Sequence, residues 1–406
     1  MLNTNYAIEN FRNSYCIIWV NKIDKGILKM VIKNAIICDE DGYREGNFTI
    51  EDRTDKVIDA EGAYLLPAMV DLNVRLQDGV LNSKNIKMIS EEAKKGGVGH
   101  IVLNADSSPR IDSESVFEFA QNGLRDIKGA KIDLMINSLK EDGSLSNIAI
   151  LLKRGAIAAY VSTIAKNDVV IKIAEYIQMY GGTLFCKAED NSLKRSGVML
   201  DGDVNARLGL AGIPDLSEVL HVSRMIEIAR HFKIKILFKS IASPRSISLI
   251  TQAKKEGVLV SCEVSLHHLV HSDEACANFN TRAKLDPPLS SESDVSLLQA
   301  SLKNGEIDIL STLHQPSSPV HKEVAFFDAE YGCESISDAL PLFYTKLVKS
   351  GLITMQNLVE LISLNPARTI NKKNSYVLFN PNKTYKIKNA NSLYDGEEIY
   401  GEVISL

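Results

Sequence analysis

Six cysteines are scattered through the chain, at Cys16, Cys38, Cys186, Cys262, Cys276 and Cys333, and no two form a CxxC pair. That spacing excludes a thiol-based metal ribbon and a disulfide framework, and fits reduced thiols in a cytoplasmic protein. No apolar run reaches the length needed to span a bilayer, so no membrane partner is expected. Lysine and arginine form no block, and the net charge of −5 gives no electrostatic reason to expect nucleic acid. No Walker-type glycine loop and no Gly-x-Ser-x-Gly elbow is present. What remains is ordinary: 406 residues, 45% hydrophobic and 24% charged, enough for one large domain and a small one.

Residues 1–29 lack the apolar core and small-residue cleavage site of a secretory signal. They read equally as a genuine extension or as the product of a start placed too early. The fold-like pattern begins at Met30-Val31-Ile32. From there to about Leu66, short alternating apolar stretches are broken by turn residues such as Asp39-Glu40-Asp41-Gly42. The stretch from about Ser375 reads the same way, with Val377-Leu378-Phe379, then Asn380-Pro381-Asn382, then Tyr385-Lys386-Ile387. Neither end carries enough apolar surface to fold alone. Two separate appendages and one small β domain built from residues 30–66 plus 373–406 are both compatible with this pattern, and we adopt the second.

Residues 67–372 have a different rhythm. Short apolar runs at 64–72, 98–103, 131–136, 155–161, 182–187, 233–239, 257–264 and 306–312 look like strands buried on both faces. Amphipathic stretches such as 84–96, 168–180, 215–232 and 246–255 lie between them. Eight strands alternating with helices predict an α/β fold of the (β/α)8 TIM-barrel type, with a doubly wound open sheet as the alternative. In such a barrel the chemistry sits at the C-terminal ends of the strands.

Several stretches carry a resemblance. Leu66-Pro67-Ala68-Met69-Val70-Asp71-Leu72, Ala188-Glu189-Asp190-Asn191-Ser192-Leu193, Ala206-Arg207-Leu208-Gly209-Leu210 with Gly212-Ile213-Pro214, and Glu263-Val264-Ser265-Leu266-His267-His268-Leu269 are four of them. Pro287-Pro288-Leu289, Ala339-Leu340-Pro341-Leu342 and Asn365-Pro366-Ala367-Arg368 complete the series. In this order and spacing, from about residue 30 to the end, the chain resembles dihydroorotases of the amidohydrolase superfamily. That family uses one or two zinc ions to polarise a cyclic amide and generate hydroxide. The resemblance implies ligands in a His-x-His pair after strand 1, a carboxylated Lys or Asp after strand 4, His after strands 5 and 6, and an Asp after strand 8.

Here those positions hold Asn73 and Arg75, Val161 (or Ser162, a residue on), Lys187, Ser240 and Leu313. Arginine does not deprotonate in proteins and cannot ligate, and a hydrocarbon cannot carry a proton. The resemblance also implies substrate contacts at Gln77, Asp106, Asp286 and His314; of these only His314 keeps the family's residue type. The expectation is therefore a pseudoenzyme with no catalytic residue, no metal and no cofactor. A mouth that has lost a dication and gained Arg75, Lys187, Asp106 and Asp286 is expected to pair these groups with one another, because an unpaired buried charge is costly.

His267, His268 and His271 suggest packing and hydrogen bonding rather than a new metal site, while His100, His221, His231 and His321 are isolated. Cys186 and Cys262 read as buried structural thiols. Resemblance to inactive dihydroorotase-like chains implies a structural or regulatory partnership with the catalytic chain of aspartate carbamoyltransferase, with self-assembly a further option. Two alternatives stand beside it. One is an anion-binding module or metal-independent enzyme whose mouth uses Arg75, Lys187 and Lys239. The other is residual dihydroorotase or cyclic amidohydrolase activity.

Overall fold

The computed structural model describes residues 28–52, 56–162, 165–404 and 406. The extension expected over 1–29 lies outside them, except that Leu28 and Lys29 open the strand Leu28–Asp39. The apolar runs become eight strands: β1 (Met69–Val74), β2 (Val98–Leu103), β3 (Lys131–Asn137), β4 (Ala158–Val161), β5 (Thr183–Lys187), β6 (Lys235–Lys239), β7 (Val260–Ser265) and β8 (Ile309–Ser311). Each pairs in parallel with the next. The segment after β8 returns to β1 through a parallel bridge between His314 and Val74, and the Arg75 N–H donates to the His314 carbonyl at 2.9 Å. That closure makes a barrel and sets aside the open doubly wound sheet.

Successive residues on a strand face opposite sides, so each barrel strand feeds two cores. Val70, Leu72, Val102, Met135, Ala158, Tyr160, Phe185, Leu237 and Ile309 fill the interior. Ile101, Leu134, Ala159, Val161, Leu184, Cys186, Phe238, Cys262 and Leu310 pack outward among the helices. Helices including Ser83–Lys95, Asn167–Tyr180, Leu216–Phe232 and Pro244–Lys255 cover that outer face. None of the helices among the described residues is long and apolar enough to cross a membrane.

The two chain ends meet in one six-stranded sheet, in the order Glu398–Ile404, Tyr376–Lys386, Tyr64–Pro67, Leu28–Asp39, Gly42–Asp52, with Lys56–Asp59 also on Leu28–Asp39. The run expected as one strand over 64–72 is two. Tyr64–Pro67 pairs antiparallel with Tyr376–Phe379, whereas Met69–Val74 joins the barrel. Pro67 has no N–H to extend a ladder. The following Ala68 N–H goes to the Ser375 carbonyl at 2.8 Å, and the chain changes sheets there.

Candidate functional site

The floor of the barrel mouth is a buried polar chain assembled from distant strand ends. Asp71 on β1 accepts the Asn73 N–H at 2.9 Å, the Thr312 N–H at 3.1 Å and the Thr312 hydroxyl, tying the first strand to the segment after the last. Asn73 donates its amide to Ser240 Oγ and to Glu263 Oε1, both at 2.6 Å, and accepts from Asn104 Nδ2 at 3.0 Å. Lys239 donates to Asn104 Oδ1, and Ser311 Oγ donates to Glu263 Oε1 at 2.7 Å. Glu263 Oε2 has no hydrogen-bond partner among the described residues. Burial pushes the Lys239 ammonium down to about 8, with the nearby Glu263 carboxyl working against the shift. Burial likewise pushes Glu263 above the ordinary carboxylate range, opposed by Lys239 and by hydrogen bonds from Ser311 and Asn73. Ser240 and Leu313 both have left-handed backbone, with φ of 53° and 48°. That conformation costs a non-glycine residue on the order of 1 kcal/mol and collects at functional sites.

Above the floor lies a layer of ion pairs. Arg75 donates to Asp106 at 2.9 Å. Lys187 reaches Asp286 at 2.5 Å and Glu189 at 2.9 Å, and Lys194 reaches Glu189 at 2.7 Å and Asp286 at 3.5 Å. The four groups expected to pair with one another do so, and Glu189 and Lys194 join them. Burial alone would raise the Asp286 carboxyl, but Lys187 and Lys194 hold it well below the ordinary range. Burial would lower the Lys187 ammonium, and Asp286 and Glu189 instead hold it up. Arg75 does the same for Asp106, again against burial.

Two cavities follow from this layering. The mouth is a cleft of about 420 Å³ lined by Arg75, Asp106, Tyr160, Lys187, Asp286 and Tyr331 among others. Beneath it a cavity of about 10 Å³ touches Asn73, Asn104, Lys239 and Ser240, and shares Arg75, Tyr160, Lys187 and Asp286 with the mouth. Its size is that of roughly one water.

The sequence-derived positions distribute as follows. Asn73 and Ser240 belong to the floor, and Arg75, Lys187, Asp106 and Asp286 to the ion-pair layer. Val161 does not reach the mouth: it faces the outer core, and its neighbour Tyr160 takes the inward place on β4, with Ser162 on the mouth wall. Of the two residues the sequence offered for this position, Val161 points away from the mouth and Ser162 lines it. Leu313 is buried and lines neither cavity. Gln77 donates to Ser318 Oγ at 3.4 Å, away from the ion pairs. His314 Nδ1 accepts the Ser335 and Ile336 N–H groups at 3.2 and 3.3 Å, which leaves the proton on Nε2, where it has no partner among the described residues. Burial pushes this imidazole down to about 3.

Among the described residues, several other histidines and thiols are held in buried contacts. His267 joins Tyr394 OH at 3.0 Å and Cys333 Sγ at 3.3 Å, and His268 joins Ser265 Oγ at 2.7 Å. Cys186 lies 3.5 Å from His221 Nε2, its thiol pushed up to about 12 by burial. Glu263 and Asn104 were not singled out in the sequence, and Lys239 was named only as a mouth cation in the anion-binding alternative. The available signal was a charge inside an otherwise apolar strand, as in Ile236-Leu237-Phe238-Lys239.

No protein-family model matches the chain. Among curated proteins, the dihydroorotase of Elusimicrobium minutum is 34% identical over 367 residues, covering 89% of this chain and 83% of that protein. The chain belongs to the dihydroorotase family. The dihydroorotase of Caldanaerobacter subterraneus is 32% identical over 412 residues, covering 93% of this chain and 95% of its own length. Among solved structures, the L-hydantoinase (dihydropyrimidinase) of Arthrobacter aurescens superposes with a TM-score of 0.81 at 20% identity, over 92% of this chain and 93% of its own; it shares the fold.

Family membership corrects one expectation. A chain that is no enzyme was expected from the site positions, and it is overturned by similarity over most of the length to proteins that carry an enzyme's name. The metal that dihydroorotase resemblance implies is a separate matter, decided by the donors present. An amide, a guanidinium, a phenol, an ammonium, a hydroxyl and a hydrocarbon stand at Asn73, Arg75, Tyr160, Lys187, Ser240 and Leu313. Two of these are cations, already committed to carboxylates. Such a set does not fit a zinc dication. Among the described residues, no three His, Cys, Asp or Glu side chains gather as metal ligands.

Proposed function

We propose that this dihydroorotase-family chain opens a cyclic amide ring at its barrel mouth by acid–base chemistry of Lys239. The observation that carries this reading is a lysine, lowered to about 8, beside a water-sized cavity directly under a 420 Å³ cleft. Membership in the dihydroorotase family supports the reaction class. Ring opening requires a water stripped of a proton, a donor for the carbonyl oxygen as it gains charge, and a proton for the departing nitrogen. In its neutral form Lys239 takes the proton from water as the water oxygen bonds to the carbonyl carbon. As the ring C–N bond breaks, the ammonium returns that proton to nitrogen, so atoms and charge balance. Arg75 borders both cavities and keeps N–H groups beyond the one bound to Asp106, which suits it to the developing oxyanion.

The test is a ring-opening assay with dihydroorotate and 5,6-dihydrouracil from pH 6 to 9, with and without a chelator. Turnover is expected to survive chelation and to rise as pH passes about 8, where Lys239 loses its proton. Lys239→Met is expected to lower kcat on the order of 100-fold or more while ring binding persists. A chain that binds the ring but never opens it, or turnover abolished by the chelator, would count against the proposal.

A second reading is favoured by the full scaffold persisting around ligand positions that do not suit zinc: the chain also serves as a subunit beside aspartate carbamoyltransferase. Mixing the two purified proteins from one organism should give a complex on size-exclusion chromatography. Two independently eluting species would remove this reading.

A further inference from the structure

We propose that Asp106 sets the mouth to accept a neutral cyclic amide in preference to its carboxylated counterpart; the inference rests on the reading that the mouth takes a cyclic amide. An acidic ring needs an unoccupied cation to receive its carboxylate. The wall of the mouth has four Lys or Arg side chains and five Asp or Glu. Three of the cations are already committed, Arg75 to Asp106, Lys187 to Asp286 and Lys194 to Glu189. Among the described residues Arg110, on the same loop as Asp106, is the one Lys or Arg of the mouth wall outside these ion pairs, and it is outnumbered by two acids that are outside them too, Asp78 and Glu330.

Asp106 occupies Arg75 as a ligand carboxylate would, at 2.9 Å, and its charge is maintained because Arg75 depresses its protonation. An incoming carboxylate must therefore displace a tethered competitor and then sit among like charges. A neutral ring needs neither step: its carbonyls can accept the remaining Arg75 N–H groups and its N–H groups can donate to the outward carboxylate oxygens. Tyr160 adds a neutral hydroxyl donor on the same wall.

Calorimetric titration with two probes, 5,6-dihydrouracil and dihydroorotate, separates the outcomes. The natural chain is expected to bind the neutral ring at least about 10-fold more tightly. Asp106→Asn keeps the side chain's shape, removes the charge and releases Arg75. It should move the preference toward the carboxylated ring by about 10- to 100-fold, the range of one charge-assisted hydrogen bond. Added salt should narrow the difference in the natural chain. Tighter binding of the carboxylated ring by the natural chain, or a ratio indifferent to Asp106→Asn, overturns the inference and leaves the cyclic-amide reading standing. Binding of neither ring by either protein overturns both.

Discussion

Replacing Lys187 by Met is expected to destabilise the folded chain by about 3–5 kcal/mol, the usual cost of stranding a buried partner of opposite charge. Lys187 is the shared cation of the layer, in contact with both Asp286 and Glu189. Without it Lys194 alone faces two carboxylates, one of them at 3.5 Å. Asp286 is held ionised mainly by Lys187, against its burial, so the lost cation leaves a charge that the site cannot solvate. The pair itself is a different quantity. Taking both charges out of water costs about as much as their attraction returns, so Lys187→Met combined with Asp286→Leu should recover most of the loss. Urea unfolding of the two single variants and the double variant measures the coupling. A single-variant loss below about 1 kcal/mol would mean that the layer is solvated like a surface pair.

This layer also marks how far the sequence can be read. Four charges brought to a barrel mouth have few ways to avoid an unpaired burial, so it was legible in the sequence that Arg75, Lys187, Asp106 and Asp286 would pair, though not which with which. The barrel was legible for a related reason: strands buried on both faces must be continuous apolar runs, and helices between them must have one apolar face. The floor was not. Lys239 meets Asn104 across 135 residues and Asn73 meets Glu263 across 190, each residue on, or just past the end of, a different strand. No local pattern says which of several polar strand residues face each other inside a closed barrel. Tyr160 and Val161 show the same limit on a smaller scale. Both suit a buried strand, and only the pleat decides which enters the mouth. The split of 64–72 was hidden because a run remains apolar while its partner changes. What was read from the ligand positions alone, that the chain is no enzyme, failed for another reason. Residue identity tests whether one metal set can bind, and an enzyme family is defined by more of the chain than that.

Glu218 illustrates the remaining gap and supplies a pH-dependent test. It lies in the first turn of the helix Leu216–Phe232 and is buried, although no feature of the sequence marks it. Its carboxyl accepts the Ala242 N–H at 2.9 Å and the Ser243 N–H at 3.0 Å, at the start of the helix Pro244–Lys255. It thereby fixes the turn that follows Lys239 and Ser240. Burial pushes this carboxyl up to about 7, with hydrogen bonds resisting. A folded-state value above the unfolded one means that the folded chain holds its proton longer. The associated stability is complete below about pH 4.5 and is lost as pH rises through 7. Over that window the natural chain should lose about 3 kcal/mol relative to Glu218→Gln, which has no proton to release. The amide forfeits one acceptor, a constant cost of about 1–2 kcal/mol at every pH. Glu218→Gln should accordingly be the less stable protein at pH 5 and the equal or more stable one at pH 8. Comparing the two by denaturant titration at both values cancels every other titrating group. Parallel stability curves across the range would show that Glu218 folds as a carboxylate, stabilised by the two N–H groups it caps more than burial disfavours it.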